Sequence, residues 1–199
     1  MPKPKIIEGD IAAGTQHAFA GDTLIRGQVG AGAQITVTNG TLEVIGGVGD
    51  GAKISVKRAA VDAKAAFNAC SLFINGRTGN QVKLDAADDL RLRGDAGNAL
   101  TARADNIYAK EVAAKAVLSS ARNIHVEAVG DKSRVTAGAR LYITFAGLGA
   151  DLRAGEIIGA SPYKLPYKCP RNSRDATIGR KTTHFVNGNH APVRLKRWG

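Results

Sequence analysis

Four histidines, two cysteines and a knot of aspartates are the side chains most capable of chemistry in this 199-residue chain. His125 is the natural candidate for proton transfer, because an imidazole titrates near neutral pH. Alternation nevertheless places it on an outward strand position with no evident acid partner. Asp85, Asp88 and Asp89 fall together, but beside small residues at a turn, where Asp satisfies local backbone groups. Cys70 and Cys169 stand far apart without a CxxC pattern. Cys169, His184 and His190 lack the spacing of a zinc site. The segments GQVGAGA (27–33) and GGVGDGA (46–52) invite a phosphate-cradling reading. They lack the G-K-S/T ending and the following helix that such a cradle needs, and glycine is wanted at tight corners in any case. No cofactor, metal or catalytic residue is expected from these groups.

The elements that must position these residues declare themselves by period. The apolar pairs Leu90/Leu92, Ile107/Ala109, Ile124/Val126 and Leu141/Ile143 begin 17 residues apart, and Leu72/Ile74 lies 18 residues before the first. A second series, Val82, Leu100, Val117, Val135 and Leu152, advances by 18, 17, 18 and 17. Nearer the N-terminus, Leu24 and Leu42 are 18 apart, and QVGAGAQITV aligns with GVGDGAKISV at an offset of 19. Between Lys57 and Ala69 the pattern blurs, as expected for a coil with an insertion or a short helical excursion. Each period holds apolar-x-apolar triplets separated by Gly, Asp, Asn, Ser or Ala, which reads as short strands joined by tight turns.

Fixed self-similarity of this length is the signature of a solenoid. A β-sandwich would also have short strands, but has no reason to hold one period over five repeats. The expected fold is therefore all-β: a single-stranded β-solenoid (β-helix) with 17–19-residue coils. It runs from about Asp22 to Ile157 and is followed by an irregular basic C-terminal segment. The corresponding division is an N-terminal segment or cap at 1–20, the solenoid at 21–157 and the segment at 158–199. Seven or eight coils at the strand spacing of about 4.8 Å make a rod on the order of 35 Å long.

In such a stack Arg91, Tyr108, His125 and Tyr142 occupy equivalent outward positions and should form one column. Arg93, Lys110, Glu127 and Thr144 form the next. A column mixing cations with aromatic rings suits cation–π contact between neighbours. It reads either as a strip for a partner, a sugar or a phosphate backbone, or as a ladder that stabilises adjacent coils. The ladder reading needs nothing beyond the stacking itself.

Net charge is +11, concentrated at one end. Residues 161–199 carry Lys164, Lys168, Arg171, Arg174, Arg180, Lys181, Arg194, Lys196 and Arg197 against Asp175 alone, a balance of +8. Tyr163, Tyr167, Phe185 and Trp198 are interleaved with them. Such a segment suits an acidic partner, whether nucleic acid, an anionic membrane or an acidic protein surface. It also reads as a solubilising tail. Pro162, Pro166, Pro170 and Pro192 favour an extended course, and HFVNGNH suits a tight turn at Asn187-Gly188. The N-terminus has no apolar core of a signal peptide, and no stretch of about 20 apolar residues appears. A cytoplasmic protein with reduced thiols is expected, with membrane association and signal-independent secretion both open.

The segment GDTLIRGQVGAGAQITVTNGTLEVIGGVGDGAKISV resembles the coils of bactofilins and related polymer-forming β-helix proteins. NIYAKEVAAKAVLSSARNIHVEAVGDKSRVTAGARLYI is similar to the β-helix of the flagellar assembly protein A family. The likeness spans about residues 21–157. It implies a cytoplasmic scaffold that polymerises end to end and can associate with membranes, hence self-association into an oligomer or filament. The long, basic, aromatic-containing C-terminal segment departs from bactofilins and could cap the last coil. Solenoid enzymes fit less well. Left-handed acyltransferases keep a strict hexapeptide repeat, which 17-residue coils break. Right-handed polysaccharide lyases need a longer rod and an acidic groove. A non-enzymatic structural or assembly role is expected, with a basic-segment adaptor as the alternative.

Overall fold

The computed structural model describes residues 3–59 and 69–159 and the backbone of two further strands at 177–179 and 195–196. Every element among them is a β-strand, and all pair in parallel within one wound sheet. The chain is a β-solenoid, as its period predicts, with three faces per turn.

Face A is built from β1 (Lys5–Ile7), β3 (Thr23–Ile25), β5 (Leu42–Val44), β7 (Leu72–Ile74) and β9 (Asp89–Leu92). It continues through the second halves of β10 (Thr101–Val112), β11 (Val117–Val129), β12 (Arg134–Ala146) and β13 (Asp151–Gly159). Face B is one bridged residue wide: Ile11, Val29, Val48, Thr78, Ala96 and Val112 in successive turns. Face C comprises β2 (Gln16–Ala20), β4 (Gln34–Thr38), β6 (Lys53–Lys57), β8 (Lys83–Ala86) and the first halves of β10 to β13. Nine strands stack on face A, more turns than the seven or eight expected, and at the usual spacing they span about 40 Å. The stack starts ahead of residue 21, because Lys5, Ile6 and Ile7 pair with Thr23, Leu24 and Ile25.

Registers on face A advance from Lys5 to Thr23, Leu42, Leu72, Leu90, Ile107, Ile124, Leu141 and Ile157. The long step from Leu42 to Leu72 confirms an insertion in that coil. Whether it is helical concerns residues 60–68, which lie outside the described residues. Its base is stapled on both sides. The Ala59 N–H donates to Asn39 Oδ1 at 2.6 Å, while Asp88 accepts from Arg58 at 2.9 Å and from the Cys70 N–H at 2.7 Å.

Coils shorten at two corners. From face C to face A the step is four residues at Ala86–Leu90 but three at Ala104–Ile107, which gives the first 17-residue interval, and the corner from face A to face B shortens one coil later. In the early coils four residues separate the last inward residue of face A from the bridge of face B, as from Ile74 to Thr78, and Gly27, Gly46, Gly76 and Gly94 mark that corner. From Ala109 to Val112 the step is three, and no glycine stands there. The kinked corner becomes a smooth bend, so the separate strands of early coils merge into the long strands β10 to β12. The following corner instead keeps a left-handed residue in each turn: Gly32, Gly51, Gln81, Ala99, Lys115, Lys132 and Gly149, with φ between 55° and 69°.

One apolar series is corrected by the structure. Val117 pairs with Thr101 and Arg134 and is 40% exposed, so it faces outward, and its neighbour Leu118 is the buried residue. Val135 and Leu152 share the column of Leu118, Ala102 and Leu84. Val82 and Leu100 belong to a different inward column, each sitting one residue before a paired strand start. Because inward positions recur every second residue, a coil shortened by one residue lets a series slip between columns unnoticed.

The core is one continuous cluster along the axis, from Ile11 to Ile157. Beyond β13 the backbone adds β14 (Thr177–Gly179) and β15 (Leu195–Lys196) to face C in parallel register, with Ile178 opposite Leu195. The C-terminal segment therefore keeps a coil-like step of 17 residues where the sequence pattern suggests no period. No helix among the described residues is long and apolar enough to cross a membrane.

Candidate functional site

The residues expected as an outward ladder stand in one column of face A, with Arg91 opposite Tyr108, Tyr108 opposite His125 and His125 opposite Tyr142. The flanking inward residues are buried leucine, isoleucine and valine, with the partly buried Ala109 beside Tyr108, and this pins each outward side chain above its neighbour. Tyr108 and His125 stack with ring centres 5.1 Å apart and planes 15° apart, and His125 and Tyr142 stack at 4.1 Å and 11°. Arg91 lies 5.0 Å from the centre of the Tyr108 ring and 5.5 Å from that of Phe73.

Phe73 thus extends the ladder by one coil, a member that sequence reasoning missed. Its signal was available, since Phe73 is the middle residue of the Leu72/Ile74 triplet and lies opposite Arg91. A second file runs beside it. Asn106 Nδ2 donates to Asp89 Oδ1 at 3.0 Å and Asn123 Nδ2 to Asn106 Oδ1 at 3.2 Å, and Arg140 Nε donates to Glu156 Oε2 at 2.9 Å. Arg91 also pairs with Asp89 at 3.2 Å. Asp88 and Asp89 are therefore spent on holding coils together rather than on the local backbone groups of a turn, because their acceptor oxygens reach the neighbouring coils.

The stacking decides what this strip can offer. Near-parallel rings in contact cover each other's faces, so sugars and bases meet ring edges rather than open π-faces. Each aromatic pair contributes about 0.5–1.5 kcal/mol beyond area burial, and an exposed cation–π contact about 0.5–1 kcal/mol. A shallow groove of about 690 Å³ lies alongside, lined by the ladder and by Arg93, Lys110 and Glu127. Neither Arg93 nor Lys110 makes an ion pair among the described residues.

Burial between the two tyrosines holds the His125 imidazole below its ordinary 6.5. The groups around it are Tyr108 and Tyr142 on either side, Asn123 and Glu127 on its own strand, and Lys110 on the preceding coil. The neutral ring is the folded form's preference, so the unfolded chain takes up a proton first as pH falls. Stability is complete above the ordinary value and declines as pH drops from 6.5 towards the depressed folded value. Thermal melts from pH 7.5 down to pH 5 should show that decline in the native chain. His125→Phe, which keeps a stacking ring without a titrating proton, should flatten this part of the profile. An unchanged slope in the variant would assign the decline to other groups.

Three further concavities lie among the described residues, none of them lined by a histidine or a cysteine. The largest, about 980 Å³, runs along face B over Gly49, Gly79 and Gly97, with Asp95 and Glu111 at its edge. No cluster of three or more His, Cys, Asp or Glu suited to a metal occurs among the described residues. The second glycine-rich segment lies here and the first contributes Gln28, and most of their amides are already engaged. Gly30, Gly32, Gly49 and Gly51 donate to the carbonyls of Ile11, Asp50, Val29 and Asn80 in adjacent coils. The N–H groups without such a partner, those of Gly27, Ala31, Gly47 and Asp50, are never consecutive, so these loops present no run of N–H groups to cradle a phosphate.

Of the basic segment, Lys164, Lys168, Arg171, Arg174, Arg180, Lys181, Arg194, Arg197 and Trp198 lie outside the described residues, as do Cys169, His184 and His190. Lys196 falls in β15, with Gly179 as its backbone partner. The likeness to bactofilins and to flagellar assembly protein A rests on coil pattern alone: no family model, no curated protein and no solved structure matches this chain.

Proposed function

We propose that this chain is a non-enzymatic structural element, a stiff β-solenoid rod that self-associates or docks into a larger assembly. One observation carries the reading: the side chains with chemical capacity are tied along the axis to their neighbours. His125 is stacked between two rings, Asp88 and Asp89 bridge coils, and Asp50, Asn80 and Asp131 accept backbone N–H groups of the next coil at 2.7–2.9 Å. A general acid or base needs a partner it can release to substrate, whereas these groups serve the stack.

The basic segment supports a second reading, an adaptor that recruits an acidic partner through its +8 balance. The two separate by salt. Sedimentation and negative-stain microscopy of the full chain and of residues 1–160, at low and high salt, give the test. Association that persists at high salt and without the basic segment is the expected result. Binding to an anionic polymer that is lost in both conditions would favour the adaptor. A monomer under all four conditions that binds no such polymer would overturn both.

A further inference from the structure

The two ends of the rod differ in chemistry. On face A, the first inward position of each coil is filled by Thr23, Leu42, Leu72, Leu90, Ile107, Ile124, Leu141 and Ile157, all buried. In the first coil the same position holds Lys5, opposite Thr23. On face C, the matching inward positions are Ile35, Ile54, Leu84, Ala102, Leu118, Val135 and Leu152, again all buried. In the first coil that position holds His17, opposite Ile35. Among the described strands, these two are the ionisable residues at inward positions, and both sit in the terminal coil.

Their contacts keep them over the end of the core. Lys5 Nζ lies 4.7 Å from the centre of the Phe19 ring, and His17 stacks on that ring at 5.9 Å while bonding Thr15 Oγ1 at 3.0 Å. Phe19 is 9% exposed and Ile11 5%, so the apolar floor of the first coil is covered. Pro4, which has no N–H to donate, immediately precedes the edge strand. Inward charges and proline at an edge are devices that stop one sheet from adding to another.

We propose that the N-terminal end of the rod is a closed end, at which Lys5 and His17 prevent stacking of a second copy of this chain. A copy adding there would take the Lys5 ammonium and the His17 imidazole out of water, which is unfavourable. Open head-to-tail filaments need that end. Self-assembly of the native chain through its ends therefore stops at pairs formed by the opposite end. The inference refines the assembly reading proposed above by naming which end is barred.

The test is sedimentation of the full chain beside Lys5→Leu/His17→Ile, at matched concentration and neutral pH. The double variant should at least double in mass relative to the native species, because its first coil then resembles the interior ones. Lys5→Arg/His17→Lys, which puts a charged side chain at both positions, should sediment like the native chain. Lys5→Leu alone, at the outermost strand, provides the same readout if the double change disturbs the first coil. A folded Leu/Ile variant that sediments like the native chain would overturn the proposal, as would native filaments joined through residues 5–20. Failure of the assembly reading looks different: the native chain stays single while the variant still associates.

Discussion

Leu90→Ala is expected to lower unfolding stability by about 2–5 kcal/mol, the range for deleting a fully buried leucine side chain. Leu90 is wholly buried and sits between Leu72 on one coil and Ile107 on the other. The cavity has little means of closing. Coil spacing is held by backbone bonds on both sides, such as Arg93 N–H to Ile74 carbonyl at 3.0 Å and Asp88 N–H to Cys70 carbonyl at 3.1 Å. A solenoid couples mainly to nearest neighbours, so loosening should centre on β7, β9 and β10. Denaturant melts measure the loss, and hydrogen exchange locates it. Leu148→Ala, at a 42% exposed position, should stay within about 0.5 kcal/mol. A Leu90→Ala loss no greater than that control would mean the coils collapse into the space.

Gly76→Ala should also destabilise, against the usual direction of such a change. Replacing glycine by alanine ordinarily adds about 0.4–1 kcal/mol by restricting the unfolded chain. Here an added Cβ would meet backbone atoms of Gly46 and Gly47 in the preceding coil at 2.5–2.6 Å. Gly76 does not hold a left-handed φ, so the objection is purely steric, and overpacking of this kind costs about 1–3 kcal/mol. The contact is with backbone, which can yield only by opening the stack between β5 and β7. Gly51 is the contrast: a Cβ there has open space, and φ is 65°. Asparagine tolerates that conformation, so Gly51→Asn should melt close to the native chain. A Gly76→Ala protein as stable as Gly51→Asn would show that coil spacing is softer than the stacking implies.

Resistance at Gly76 and permissiveness at Gly51 could not be separated by reading the chain, where both are glycines in a repeated loop. Much else was legible. The interval between apolar pairs determined the architecture and the period of the coils. Alternation placed Arg91, Tyr108, His125 and Tyr142 in one outward column. The blurred stretch after Lys57 marked the insertion. These features are local, since a strand's in–out pattern follows from its own residues.

What only the tertiary structure decided depends on how many residues each corner consumes. Val117 kept a plausible interval yet faces outward, because the coil before it is one residue shorter than its neighbour. Phe73 joins the ladder, and Lys5 and His17 point inward, only once the register with the next coil is known. The sequence by itself determined that coils stack and at what period; the folded chain decided which residue lies over which. The reason is physical: inward and outward positions alternate at every residue, so one residue gained or lost at a corner reverses the next strand. Only pairing between coils, made by backbone bonds that carry no side-chain signature, records where that residue went.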